Sequence, residues 1–331
     1  ESPEASGEII SSETITSAAA PTTPGAPLSL PVFGAVIVSA PAVIPAQSVP
    51  ASAATGGFIK KSDDKETRPR LSAQQIQSFL PERGQFIFPP PYDTQAARIT
   101  NSSDCANTDC VHYAGYSYWR NMNNHLGRDS IYIFVGLKNQ GGPTLFSYKK
   151  SNGEVTKVGP LFPSSSPFSY ASGEGWYFSG TQSTKLYVWR ADSKLYRYDV
   201  ETKAMETVLD ITNSTFGASR YIWQMHSSDD DKVHIGTIRD KSSYEMLGCF
   251  AYNESSKTFS YYPEKTGLDE CNLDASGRWL IMLDGEDNRV IDLSGGSEQV
   301  IPDKEGALGH LDTGYGYAVG ADNYNPAANA T

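Results

Sequence analysis

Four copies of one strand–turn–strand pattern recur through the second half of this chain, and they narrow its possible folds sharply. The copies are 145–158 (LFSYKKSNGEVTKV), 195–208 (LYRYDVETKAMETV), 250–261 (FAYNESSKTFSY) and 289–300 (RVIDLSGGSEQV). Each has an apolar strand, a cluster suited to a turn and a second strand. A spacing of about 40–50 residues is the period of a β-propeller blade. Between the copies lie further short strands, such as 131–137 (IYIFVGL), 185–190 (KLYVWR), 232–238 (KVHIGTI), 258–263 (TFSYYP) and 278–283 (RWLIML), separated by Asn-Gly, Asp-Gly, Gly-Gly and Ser-Gly turns. No long amphipathic helical pattern interrupts them. The expected fold is all-β: a β-propeller over 84–331, preceded by an extended N-terminal arm. Five to six blades of about four strands are expected from residue 92 onward. A propeller ring closes by pairing its first and last strands, so the final blade is expected to borrow strands from 84–92 or to take them from elsewhere.

The arm, 1–59, has a different character. Glu1, Glu4, Glu8 and Glu13 lead it, and from Thr14 to Ile59 there is no charged side chain. Pro21, Pro24, Pro27, Pro31, Pro41, Pro45 and Pro50 exclude a regular helix. The apolar run Leu28–Ile44 (LSLPVFGAVIVSAPAVI) is unsuited to a solvated tail. Its best strand is 32–39 (VFGAVIVS), bounded by Pro31 and Pro41. An isolated strand of this kind is an aggregation hazard, so it needs a sheet edge to pair with. The expected assembly residues are Leu28, Leu30, Val32, Phe33, Val36, Ile37, Val38, Val43 and Ile44. Burial of each large side chain contributes about 1.5–3 kcal/mol, against about 1–2 kcal/mol for ordering each residue, so only a well-paired partner makes the balance favourable. Two partners are open: the propeller of the same copy, or that of the next. The second is a strand donation that does not close on itself and gives a head-to-tail homopolymer.

Residues 60–83 connect the two parts. A mixed-charge linker, 60–70 (KKSDDKETRPR), reaches at most about 36–40 Å, enough to span to a neighbour. Ser72 and Gln75 have the spacing of a capping box for a short helix that Pro81 ends. Leu28–Ile44 is no membrane span: it is shorter than the ~20 apolar residues required, prolines interrupt it, and no basic segment precedes it as in a signal sequence.

The net charge of −11 argues against nucleic acid and anionic membrane surfaces as partners. Four cysteines suggest two local disulfides, Cys105 with Cys110 and Cys249 with Cys271, in an oxidising compartment. Sequons at Asn101, Asn213, Asn253 and Asn329 allow covalent glycans. The chain opens on Glu1 and not on Met, as a processed secreted protein would. These features point to a secreted, extracellular or cell-surface protein.

Candidate chemistry is sparse. His226 and His234 lie eight residues apart across an expected hairpin, and His310, with Asp312 beyond it, would arrive from another blade. Convergence in the central channel would suit a metal or a general base; otherwise each histidine bonds within its own blade. Asp229, Asp230 and Asp231 form a carboxylate run that reads as a solvated turn before it reads as a calcium loop. Tyr113, Tyr116, Tyr118 and Trp119, followed by Arg120 and His125, suit either sugar stacking or packing between blades.

Residues 274–282 (DASGRWLIM) resemble the D-x-S-G-R-x strand motif of bacterial propellers of the TolB and WD-like type. Residues 223–234 (WQMHSSDDDKVH) and 306–316 (GALGHLDTGYG) look like those of secreted bacterial propellers distantly similar to oligogalacturonate lyases. The resemblance covers roughly 80–326. It implies a divalent metal, manganese or calcium, with His226, His234 and His310 as the matching ligands and Gln224 as a fourth, and hence a polysaccharide lyase acting on uronate-containing glycans. A looser similarity, carried by the arm, is to propeller protomers of extracellular fibrils. The leading expectation is a non-enzymatic filament protomer, with the lyase and a glycan-binding propeller as alternatives.

Overall fold

The computed structural model describes residues 70–320, apart from 108–110, 116–118, 138–141, 170–172, 174, 191 and 303–306. The arm and most of the linker lie outside the described residues, as do Tyr116, Tyr118, Cys110 and Asn329. The first element is a short helix, α1 (Ala73–Phe79), capped by Ser72. The expected capping box is present: Gln75 N donates to Ser72 Oγ at 3.2 Å, and Ser72 N donates to Gln75 Oε1 at 2.8 Å. A two-stranded hairpin follows, β1 (Gly84–Ile87) with β2 (Gln95–Arg98). Among the described residues β1 pairs with β2 alone, and 84–92 makes no ladder with a later sheet.

Four antiparallel sheets then succeed one another along the chain. Blade 1 holds β3 (Val111–Tyr113), β4 (Met122–Asn123), β5 (Ser130–Leu137), β6 (Gly142–Lys149) and β7 (Val155–Pro160), with β3 and β4 sharing the inner edge of β5. Blade 2 is the meander β8 (Tyr177–Phe178), β9 (Lys185–Arg190), β10 (Lys194–Asp199) and β11 (Met205–Asp210). Blade 3 is β12 (Arg220–Ser227), β13 (Val233–Asp240), β14 (Met246–Asn253) and β15 (Thr258–Pro263). Blade 4 is β16 (Leu268–Leu273), β17 (Trp279–Asp284), β18 (Asp287–Asp292) and β19 (Glu298–Ile301). A fifth sheet has two strands among the described residues, β20 (Leu311–Thr313) and β21 (Ala318–Gly320). These sequential antiparallel sheets, one of five strands and three of four, each packed on the next, are blades of a β-propeller.

The sequence repeat is the third-to-fourth-strand hairpin of each blade. One side-chain oxygen holds three of the four turns: Asp199 Oδ1 accepts from Glu201 N and Thr202 N, Asn253 Oδ1 from Ser255 N and Ser256 N, and Asp292 Oδ1 from Ser294 N. The cores lie between blades. Phe134 of blade 1 meets Trp176 and Phe178 of blade 2, and Tyr187 and Leu195 of blade 2 share a cluster with Ile222, Ile238 and Phe250 of blade 3. Between blades 3 and 4 the fully buried Cys249 and Cys271 form the expected disulfide, with sulfurs 2.03 Å apart. Cys105 is also disulfide-bonded.

Strand alternation gives β5 two faces. Phe134 points to blade 2, whereas Ile133, Val135 and Leu137 point the other way, into a cluster with Ile99. On that second face lies an apolar groove of about 420 Å³, lined by Ile99, Val111, Met122, Ile131, Ile133 and Val135 among others. Val111 is 38% and Met122 47% exposed.

Candidate functional site

The innermost strand of each blade, with the turn that follows or precedes it, contributes to one cavity of about 420 Å³ at the hub. Trp119, Arg120 and Met122 come from blade 1, Tyr177 from blade 2, and His226, Ser227 and Asp229 from blade 3. Asn272, Leu273 and Ala275 come from blade 4, and Asp312 and Thr313 from the fifth sheet. A propeller hub is where loops from successive blades converge, so its cavity is the natural place to look for a site.

A bulge shapes the blade 3 contribution. Trp223 pairs with Thr237, but the next paired residue, His226, faces Ile235, leaving an extra residue on β12. Gln224 takes up the kink with φ of 45°. Gly236 sits opposite, and a Cβ there would lie 2.4 Å from Met225 Sδ, so only glycine lets β13 approach the bulge. Beyond it His226 and Ser227 resume the ladder.

His226 is buried, its ring 5.7 Å from that of Trp119 across the hub. Burial, with the Arg120 charge beside it, pushes its imidazole down to about 3, so it is neutral at ordinary pH. Trp119 donates its indole N–H to Met225 O at 2.9 Å and is 5% exposed, so it packs between blades and does not form an open sugar platform. Arg120 pairs with Asp229 at 2.9 Å, and Tyr315 O–H donates to the other Asp229 oxygen at 2.9 Å.

Ser227 begins a hydrogen-bonded series. Its Oγ lies 2.7 Å from Tyr177 Oη and 2.5 Å from His234 Nδ1. The other ring nitrogen, His234 Nε2, is 3.2 Å from Glu254 Oε2. Arg197 Nη1 donates to both Glu254 oxygens at 3.1 Å, and its Nε donates to Glu206 at 2.6 Å. The bond from His234, with the Arg197 charge, holds the Glu254 carboxyl down at about 2 against the opposing effect of burial. A carboxylate accepts only, so in the neutral ring Nε2 carries the hydrogen and Nδ1 accepts from Ser227 O–H. Burial raises the Tyr177 phenol well above its usual value, so it stays protonated and donates to Ser227.

The expected metal set does not assemble. Cross-strand pairing puts His226 opposite Ile235 and His234 opposite Ser227, so the two histidines point to opposite faces of one sheet. Both nitrogens of His234 are committed to Ser227 and Glu254. His310 is exposed and does not line the hub, although Asp312 does, and Gln224 stays at the bulge. Among the described residues no group of three or more His, Cys, Asp and Glu side chains is placed to hold a metal ion.

The aspartate run divides its labour. Asp231 is buried and accepts from Ser179 Oγ at 2.6 Å, Gly180 N at 3.1 Å and Thr181 N at 2.9 Å, tying blade 3 to blade 2. Asp230 caps its own turn through Ser228 and Lys232. Asp274, in the D-x-S-G-R motif, likewise accepts from Arg278 N and Trp279 N and serves as a turn cap. Asn213 is exposed, while Asn101 and Asn253 are half-buried with carbonyl oxygens engaged in turns. The relay through Ser227 and Glu254 is absent from the sequence reading. Its one available signal was the register that sets His234 opposite Ser227.

No family model matches the chain, and no curated protein matches it. Among solved structures it is similar to an oligogalacturonate lyase from Vibrio parahaemolyticus, at 9% identity and a TM-score of 0.49, covering 69% of this chain and 61% of that one. It therefore spans about three fifths of that lyase's length. An oligogalacturonate lyase in complex with manganese aligns at 11% identity and a TM-score of 0.38, over 74% of this chain and 79% of that one. A protein described as TolB from Agrobacterium tumefaciens aligns at 11% identity and a TM-score of 0.35, over 66% and 73% respectively. The likeness to these structures is distant. The chain's own sheets carry the assignment of the fold.

Proposed function

We propose that this protein is a secreted structural protomer that polymerises head to tail, residues 28–44 of one copy filling the apolar groove on blade 1 of the next. The observation that carries this reading is the groove. Interior blades cover both faces with their neighbours, yet the groove on blade 1 presents Val111 of β3 and Met122 of β4 at 38% and 47% exposure, over a floor of half-buried Ile131 and buried Ile133 and Val135. An exposed apolar face of this kind fits an apolar, uncharged partner strand. The run 28–44 supplies the complementary chemistry: branched aliphatic side chains and no charge. Glycans on exposed positions such as Asn213 would keep the outer surface of the filament soluble.

Complementation in trans tests it. A copy lacking residues 1–58 keeps its groove, and a Val111→Lys, Met122→Lys copy keeps its arm. Each should remain monomeric alone, and the two mixed should form 1:1 dimers on size exclusion. Filaments from the arm-deleted copy alone, seen by electron microscopy, would overturn the reading. So would a failure of the mixture to pair.

A second reading rests on the hub cavity, where Arg120 and the polar groups of Asn272 and Asp312 face space sufficient for a small sugar unit. On this reading the propeller binds an acidic glycan, the Arg120 guanidinium donating to a uronate carboxylate. Titration calorimetry with oligogalacturonate should show binding that Arg120→Ala abolishes; no heat with the parent protein rejects it.

A further inference from the structure

The hub holds a second chemistry that neither filament assembly nor glycan binding uses. Ser227 lines the cavity and is half-buried, with its Oγ 2.5 Å from His234 Nδ1. His234 is wholly buried, and Glu254 fixes its other nitrogen at 3.2 Å. Arg197, spanning Glu254 and Glu206, keeps that carboxylate in place. A hydroxyl, an imidazole that accepts from it and a carboxylate that orients the imidazole are the parts of a nucleophile–base–orienter series, recognised by geometry and not by chain order. Tyr177 adds a fourth part. Its O–H lies 2.7 Å from Ser227 Oγ, within reach of an oxyanion on a carbon bonded to that oxygen.

We propose that Ser227, His234 and Glu254 form an acyl-transfer site at the propeller hub that hydrolyses carboxylic esters with small acyl groups. Ser227 Oγ bonds to the acyl carbon as its proton passes to His234 Nδ1, and Tyr177 O–H donates to the carbonyl oxygen. Collapse breaks the ester C–O bond, and His234 returns the proton to the departing alkoxide, which leaves as the alcohol. Water then attacks the acyl-serine and gives a proton to Nδ1. The acyl group leaves as the acid and Ser227 regains its proton. Glu254 touches no substrate; it is a positioning residue that keeps the hydrogen on Nε2 and stabilises the imidazolium. The cavity of about 420 Å³ limits the acyl group to a small one.

The same bonds could serve only to join blades 2 and 3, and the experiment separates the two roles. Full-length protein is treated with a fluorophosphonate probe, digested and read by mass spectrometry, and p-nitrophenyl acetate turnover is followed in parallel. The expected result is one label, on Ser227, with turnover lost in proportion to labelling. Ser227→Ala should lose labelling and lower kcat on the order of 10²–10⁴-fold. Glu254→Gln should lower kcat on the order of 100-fold with KM unchanged, a split that a structural tie would not produce. An unlabelled folded protein, a label on another residue, or wild-type turnover in Ser227→Ala overturns the proposal. Should either variant fail to fold, the position of the label on the parent protein decides alone. None of these outcomes depends on whether the chain polymerises.

Discussion

Burying a neutral histidine makes a protein sensitive to mild acid, and His226 is placed to do this. Its imidazole is held at about 3, first by burial and then by Arg120, whereas in the unfolded chain it titrates near its ordinary 6.5. Between these values the unfolded state binds a proton that the folded state does not, so stability is full above 6.5 and falls as pH drops. The slope approaches about 1.4 kcal/mol per pH unit. Urea midpoints at pH 7.5, 6.0 and 5.0, above the carboxylate range, should fall steadily for the parent protein and stay nearly flat for His226→Gln. Equal slopes would show that His226 is not the group responsible. Asp231 makes a second test at this scale. Its carboxylate accepts from Ser179, Gly180 and Thr181 of blade 2, and Asp231→Ala leaves the buried Ser179 hydroxyl and the Gly180 and Thr181 amides without it. A loss of about 2–4 kcal/mol by urea unfolding is expected, against near-neutrality for exposed Asp312→Ala.

Among the elements, blades 3 and 4 are joined covalently as well as by packing. Cys249 on β14 and Cys271 on β16 are 22 residues apart in sequence. Bridging a loop of that length stabilises by about 2–4 kcal/mol. Cys249→Ala with Cys271→Ala should lower stability by about that amount without altering the far-ultraviolet circular dichroism, and reducing agent should lower the parent's midpoint by more than the double variant's, which keeps only the bridge at Cys105. Two strands were legible to the residue. Residues 185–190 and 258–263 match β9 and β15, β15 because an outer strand alternates exposed and half-buried positions, and β9 because a short run of β-forming residues, buried at Leu186, Tyr187 and Val188, is bounded by turns. The inner strands were harder to read: β8 has two residues, β4 has two, and β12 carries a bulge, so none presents a clean period of two. The site suffers for the same reason. His226 and His234 stood out as residue types, but the bulge and the alternation of faces decide what they meet. Glu254 read as part of a turn, which it also is, while its side chain reaches from the third-to-fourth-strand hairpin of blade 3 to His234 and Arg197.

For the whole molecule, the question is where a partner leaves its mark. Amide exchange protection follows local opening, so contact with a neighbour should slow exchange only where backbone becomes covered or ordered. The strand-donation reading places that change at two segments far apart in sequence, 28–44 and the β3–β4 stretch around Val111 and Met122 that borders the groove. Blades 2, 3 and 4, already packed on both faces, should exchange alike before and after assembly. Comparing the mixed arm-deleted and groove-substituted copies with each copy alone isolates one interface, since such a pair cannot extend into a filament. In the mixture, protection should rise in 28–44 of the groove-substituted copy and in 111–123 of the arm-deleted copy. The reverse pair of segments should stay unprotected, because one copy lacks its arm and the other has charges in its groove. That asymmetry separates donation between copies from an arm that returns to its own propeller: in the second case the groove-substituted copy gains nothing on mixing. Protection arising instead along 311–320 would move the interface to the β20–β21 sheet, where Val319 is 66% exposed, and would retire the blade 1 groove as the acceptor.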